Sequence, residues 1–319
     1  MTYRHKLQFA AKRATLAQKL GQESETMIQV NTYSIAAYDA DEQAWGVAVA
    51  SKFLGAGGVV SHARAGAGAV ATQALANVMY GSNGLALLAE GKSAQETLEI
   101  LLASDPNMTH RQVGIVDTHG GAAAHTGTDC HAWAGHKIGA GFTCQGNILT
   151  GPETLDAMAE TFISTKGELA DRLAAALLAG DTIGGDRRGK QSAGVLVVKI
   201  NGGYGGDNDR YLDLRVDDDP EPVKKIVMLV NTHHLFFGKP KAEDQLPITP
   251  EIATELQQIL TAQGYYTDII DGEWCDVTKK AFWAMVGNEN LEERWNIDGD
   301  PDHIDRVALN YLRDRFKAR

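Results

Sequence analysis

Thr32 opens a run of alternating apolar residues, Thr32-Tyr33-Ser34-Ile35-Ala36-Ala37-Tyr38, so the chain carries a hydroxyl at the head of a strand. A threonine freed at a chain terminus can be its own catalyst, because its α-amine takes the hydroxyl proton during attack on a carbonyl. Such amines have unperturbed pKa values of about 7.7–8.0, close to working pH. Ser34 shares the strand face of Thr32 by the period-two rule, and Ser51-Lys52 ends the neighbouring strand. The charge of Lys52 is suited to depressing the pKa of that amine. Thr32 is equally a β-branched strand former, and one sequence does not separate the two readings.

Other chemistries fit the chain less well. Gly66-Ala67-Gly68-Ala69-Val70-Ala71 formally matches a dinucleotide fingerprint with Ala in its third slot, but no long buried strand precedes it and no βαβ unit surrounds it. Gly91-Lys92-Ser93 ends like a phosphate loop, yet Ala86 stands where its first Gly is required. His119, His125, Cys130, His131, His136 and Cys144 are zinc-ligand types whose spacing matches no closed site. The aspartates from Asp207 to Asp219 lack the turn Gly and terminal Glu of a calcium loop. Nothing fits G-x-S-x-G. No metal and no cofactor are expected.

The elements that position Thr32 follow from patterning. A turn at Asp39-Ala40-Asp41-Glu42 and a second run, Trp45 to Ser51, make a hairpin with the Thr32 strand. Val59–Val60 and Gly68–Thr72 read as short strands. Gly84–Ala103 has helical spacing, with Ser93 and Glu96 as a capping box. Gln112–Asp117 and Ala122–Thr126 form a second hairpin, Gly141–Gln145 a strand, and Pro152–Ser164 and Leu169–Leu178 helices. Strands at 193–200 and 211–216 and a helix at 222–233 close the domain. Strands joined by short turns run antiparallel, so antiparallel sheets covered by helices are expected, not a parallel βαβ sheet. Residues 235–248 hold Gly238, Pro240 and Pro247 among charges and read as a linker. A helix from Pro250 to Ala262 and a last one starting at Asp300-Pro301 follow it.

Composition bounds the partners. Among 319 residues, 30 Lys and Arg against 41 Asp and Glu give a net charge of −11, which opposes nucleic-acid binding. No window carries the roughly 18 apolar residues of a membrane helix. Cys130, Cys144 and Cys275 form no CxxC pair, which favours a reducing, cytoplasmic setting. Residues 1–30 form an N-terminal extension, basic before Glu23 but without the apolar core of a secretory signal. A short amphipathic helix, an address tag, or a start at Met27 are its open readings.

Thr32-Tyr33-Ser34-Ile35, Gly46–Phe53, Arg64–Gln73, Arg111–Asp117, Ala124–Gly127, Trp133–His136, Gln145–Asn147, Gly184–Ala193 and Asp209–Asp218 resemble the bacterial domain of unknown function 1028, over about residues 31–233. That family is grouped with the N-terminal-nucleophile (Ntn) hydrolases, so the resemblance implies an α+β, four-layer αββα domain over 31–234. Leu256–Leu260, Gly264-Tyr265-Tyr266, Ile270–Trp274 and Thr278–Phe282 resemble a peptidoglycan-binding domain appended to such proteins, implying a small all-α module over 249–319 with Tyr265, Trp274 and Phe282 in its core. Asp271-Gly272 is its tight turn.

The resemblance implies an amide hydrolase acting on a small peptide-like or amino-acyl substrate. Thr32 is its nucleophile, Lys52 an assisting charge, and Asn147 the donor to the tetrahedral oxygen. Asp186, Arg187 and Arg188 suit a substrate carboxylate or, equally, a structural ion-pair turn. Gln73 is carried as a substrate-binding residue. Because 31 residues precede Thr32, its exposure requires cleavage at Asn31-Thr32. The alternative is a non-catalytic Ntn-like scaffold with a wall- or glycan-recognising tail. Peptidoglycan fragments are candidate partners, a membrane is not, and a homo-oligomer is left open. His125 and His136 fall within the resemblance and are expected to hydrogen-bond and not to hold zinc. Elemental analysis of untagged protein should find no near-stoichiometric zinc; zinc lost in His136→Ala would overturn the Thr32 reading in favour of metal-assisted hydrolysis.

Overall fold

The computed structural model describes residues 29–30, 32–296 and 298–316. The extension before Gln29 and residue Asn31, on which the expected cleavage depends, lie outside the described residues. β1 (Gln29–Val30) is followed by β2 (Thr32–Asp39) and β3 (Ala44–Ser51), which pair antiparallel from Thr32↔Ser51 to Asp39↔Ala44. The turn between them forms because the Asp39 carboxylate accepts from the Asp41 and Glu42 N–H groups at 3.0 and 2.9 Å.

Next come α1 (Ala56–Val60), β4 (Ser61–Arg64), β5 (Gly68–Leu75), α2 (Met79–Ala89), α3 (Ala94–Ala103), β6 (Arg111–Val116) and β7 (Ala122–Thr126). They lead into β8 (Gly135–Gly139), β9 (Phe142–Gly146), α4 (Glu153–Ser164), α5 (Leu169–Ile183), β10 (Ser192–Lys199), β11 (Arg210–Val216) and α6 (Pro222–Phe237). The strand expected at 59–60 is the end of α1, and β8 has no counterpart in the sequence pattern. The helical stretch after Gly84 is two helices, because Gly91 takes a left-handed φ of 88° and ends the first before the Ser93–Glu96 capping box starts the second.

The strands form two antiparallel sheets. One has the order β11-β10-β3-β2-β9-β8; in the other β1 and β4 lie along the same side of β5, followed by β6 and β7. Alternation along β2 decides what packs where. Tyr33, Ile35 and Ala37 join Leu155, Met158, Leu173 and Ile226 under α4, α5 and α6. Ala36, Trp45, Val47 and Val49 meet Val60, Ala69, Ala71 and Val116 between the sheets. On the far side of the second sheet, Val70, Val113 and Ile115 pack with Tyr80, Leu88, Leu98 and Leu101 of α2 and α3. The protein is thus mixed α/β with a helical C-terminal region.

That region contains β12 (Gln245–Pro247), α7 (Pro250–Ala262), α8 (Asp276–Asn288), β13 (His303–Asp305) and α9 (Arg306–Arg315) around Leu256, Leu260, Phe282, Met285, Trp295 and Leu309. Phe282 is in this core, with Trp295 at 4.7 Å and Trp274 at 5.5 Å, whereas Tyr265 and Trp274 pack at its margin. Two expectations are corrected. The module is not all-α, since β12 pairs with β13. Residues 235–248 are not a free linker: α6 runs to Phe237, Leu235 and Phe236 pack on the C-terminal core, and Gln245 pairs with Asp305. Proline and charge mark a turn locally, but pairing across almost 60 residues of chain leaves no local sign.

Arg294 fastens this junction. Its buried guanidinium donates to the carbonyls of His234 and Leu235, and it lies 3.4 Å from the fully buried Asp305 carboxylate. Asp305 also caps α9, accepting from Val307 and Ala308 N–H groups at 2.8 and 3.1 Å. Removing one partner of a buried pair strands the other charge, at about 3–5 kcal/mol. Arg294→Leu is therefore expected to lower stability by about 3 kcal/mol in urea unfolding and to open residues 239–244 to limited proteolysis. An unchanged midpoint and cleavage pattern would show that the junction does not depend on it.

Candidate functional site

Thr32 lies at the end of the gap between the two sheets and is fully buried. Its hydroxyl donates to Ser51 Oγ at 3.1 Å, directly across the strand pair, and Ser192 follows in the same row on β10. The Thr32 carbonyl accepts from the Asn147 backbone N–H at 3.0 Å and from Gln73 Nε2 at 3.2 Å. Two left-handed, non-glycine residues sit beside these donors, Ala74 at φ 68° and Ile148 at φ 52°. Such backbone is costly, above all for a β-branched residue, and concentrates where a site fixes its geometry.

Around this carbonyl the inter-sheet core is polar. Gln73 Nε2 also donates to Gln112 Oε1 at 2.8 Å, while Gln73 Oε1 accepts from Ser34 Oγ at 2.6 Å. Gln145 Nε2 donates to Ser34 Oγ at 2.7 Å, and Asn147 Nδ2 to Gln112 Oε1 at 2.9 Å. Gln112 Nε2 in turn is within hydrogen-bond distance of the Gly146 and Gly135 carbonyls and Thr126 Oγ1, at 2.8, 3.0 and 2.9 Å. Since Thr126 accepts from Gln112, its own hydroxyl proton is left for His136 Nδ1 at 2.9 Å. Burial, then the neighbouring His125, lowers the pKa of His136, which suits the acceptor role. Gly114 has no side chain because a Cβ there would overlap Gln145 Oε1 and Thr143 Oγ1. Those two oxygens and Asn147 Oδ1 are buried without a hydrogen-bond partner among the described residues, the kind of orphan that marks strain or function.

The site residues expected from sequence are only partly brought together. Thr32 and Asn147 meet, but through the Asn147 main chain; its side-chain amide serves Gln112. Gln73 adjoins Thr32 and is fully buried, its amide bonded to the Thr32 carbonyl, Ser34 and Gln112. The Lys52 ammonium donates to the Lys190 carbonyl at 3.2 Å and makes no hydrogen bond to Thr32. Strand pairing turns Ser51 toward Thr32, so the next residue projects elsewhere. Asp186 is an internal clamp: it accepts from the Lys52 N–H at 3.0 Å and pairs with the Arg188 guanidinium at 2.6 and 3.1 Å. Of the three, only Arg187 extends an exposed guanidinium without a partner among the described residues.

Sequence patterning missed Gln112, Gln145, Tyr33, Asp181 and Lys190. Tyr33 OH donates to Asp181 Oδ1 at 3.1 Å, and Lys190 Nζ donates to Asp181 Oδ2 at 2.6 Å. Burial, then the Asp181 charge, pushes the Tyr33 phenol well up. Burial alone would lower the Lys190 ammonium, but Asp181 and Glu221 outweigh it and keep it raised and charged. Tyr33, Asp181 and Lys190 line, with Ser51, an opening of about 10 Å³, room for about one water molecule. A lone Gln at an inward strand position was the available signal for Gln112 and Gln145. Among the described residues no group of three or more His, Cys, Asp or Glu could hold a metal, and no helix is long and apolar enough to cross a membrane.

The model of the "Family of unknown function (DUF1028)" matches residues 32–226, which takes in every residue of this site. That of a "Putative peptidoglycan binding domain" matches 236–312, starting within the last turn of α6. The crystal structure of a protein from Silicibacter pomeroyi, described with the DUF1028 model, is similar at 29% identity over 64% of this chain and 89% of its own, with a TM-score of 0.58. No curated protein matches the chain.

Gln112 is the test of the polar core. Gln112→Leu would leave the buried Asn147 side-chain amide without its acceptor and take one acceptor from the Gln73 amide, each lost bond to a buried group worth about 1–3 kcal/mol. A loss of at least about 2 kcal/mol in chemical unfolding is expected. A near-neutral result would mean that these groups find other partners at no cost.

Proposed function

We propose, from the premise that this chain belongs to the DUF1028 family, that it is an Ntn-type amide hydrolase for a small peptide-like or amino-acyl substrate. In this reading the layering of helices, two sheets and helices is the four-layer αββα arrangement of that class. Thr32 becomes the nucleophile once the Asn31–Thr32 bond is cut, and its amine takes the hydroxyl proton. The observation that carries the reading is the hold on Thr32, with its carbonyl fixed by Asn147 and Gln73 and its hydroxyl by Ser51. A nucleophile fixed before substrate arrives needs no ordering during reaction. Asn147 keeps one side-chain N–H beyond its bond to Gln112 as a donor to the tetrahedral oxygen, and Arg187 is free to meet a substrate carboxylate.

One observation favours the alternative, a non-catalytic scaffold. The opening beside Ser51 admits about one water and no substrate, and Thr32 is fully buried. In the catalytic reading, cutting the Asn31–Thr32 bond must therefore also uncover Thr32. The C-terminal region, similar to a peptidoglycan-binding domain, would under either reading bring the body to wall-derived glycopeptide.

Intact-mass measurement separates the two. A species beginning at Thr32 is expected, with amidase turnover against an amide library that Thr32→Ala lowers by about 10³-fold or more without loss of fold. Full-length mass together with unchanged turnover in Thr32→Ala would sink the nucleophile assignment.

A further inference from the structure

A sizeable cavity lies away from Thr32. It is a groove of about 480 Å³ where β4 of one sheet faces β10 and β11 of the other, within the size range of small-molecule sites. Its floor is apolar, from Leu196, Val198, Ala63 and Ala65, and Arg64 and Arg210 stand at its rim. Val198 lies six residues along β10 from Ser192, the residue in the Thr32 row, so the groove is about 20 Å away at the other end of the sheet.

Both walls are pre-formed. The turn after β4 is closed by the Ala67 N–H on the Arg64 carbonyl at 3.1 Å and pinned by Thr118 Oγ1 on the Ala67 carbonyl at 2.8 Å. On the other wall the Asn208 side chain accepts from the Arg210 N–H at 2.8 Å, and Asp209 from the Asn201 N–H at 2.9 Å. Asp209, the one acid at the groove, is thereby engaged in holding its loop. The Arg64 side chain makes no hydrogen bond or ion pair among the described residues. Arg210 reaches Asp213 only at 3.5 Å, and Asp213 is already held by Arg215 at 2.8 and 2.9 Å.

In a chain of net charge −11, Arg64 without a side-chain partner and Arg210 with only a long contact to Asp213 place two positive charges on the lining of an apolar cavity. Guanidinium groups match planar oxyanions in two-pronged geometry. We propose that this groove binds a small amphiphilic anion, its carboxylate or phosphate head on Arg64 and Arg210 and its short apolar body on Leu196 and Val198. The site is separate from Thr32 and stands whether or not Thr32 is a nucleophile.

Calorimetric titration of the full chain at low ionic strength with hexanoate, hexyl phosphate, acetate and hexylammonium tests this. Saturable binding is expected for hexanoate or hexyl phosphate, with acetate at least tenfold weaker and hexylammonium silent. The tighter of the two hexyl anions identifies the head as carboxylate or phosphate. Arg64→Gln and Arg210→Gln should each weaken binding at least tenfold while leaving the thermal midpoint unchanged, since both side chains are exposed. No saturable anion binding, binding that survives both variants, or acetate equal to hexanoate would overturn the assignment.

Discussion

Gln112 joins the two sheets at the Thr32 end through a single side chain. Its oxygen accepts from Gln73 on its own sheet and from Asn147 just beyond the other, and its nitrogen faces the carbonyls at both ends of the β8–β9 hairpin. An amide can serve both sides because it carries donors and acceptors together; no apolar or charged residue could do so in a fully buried setting. Gln73, Gln145, Ser34 and the Thr32 carbonyl close around it, so the position of Thr32 follows from the hub. Polar networks of this kind are worth having only when nearly all members are satisfied. The three orphaned oxygens of Thr143, Gln145 and Asn147 are where this one departs from that rule.

The inter-sheet space is graded along the strands. At the Thr32 end it is lined with hydroxyls and amides; further along it becomes Ala36, Val47, Val49 and Trp45. The apolar part supplies the burial that drives sheet-on-sheet packing. The polar part supplies direction, since hydrogen bonds fix register where alanine and valine would tolerate slippage. Each open end then has a distinct character: a tightly closed hydroxyl row at Thr32, Ser51 and Ser192, and an arginine-rimmed groove by β4.

The C-terminal region is not hung on a tether. α6 belongs to both cores, with Val223, Ile226 and Val230 in the first and Leu235 and Phe236 against the second. Arg294 closes the carbonyls at its end. A module similar to a peptidoglycan-binding domain is thereby held against the DUF1028 body by a shared helix.

Local patterning determined most elements of this protein. The β2–β3 and β6–β7 hairpins, the Ser93 capping box and the helices after Pro152, Leu169, Pro222 and Pro250 are each written in a few consecutive residues. Thr32 at the head of its strand was legible for the same reason, and Asn147 came with the resemblance. What the tertiary structure decided is every partner: that Ser51 and not Lys52 meets Thr32, that Asp186 consumes Arg188, that Gln73 turns inward to Gln112, and that β12 finds β13. Those outcomes depend on which strands neighbour each other and which face turns inward, and such pairings join residues far apart in sequence. A period of two specifies that a side chain points in or out; it does not specify what waits on the other side.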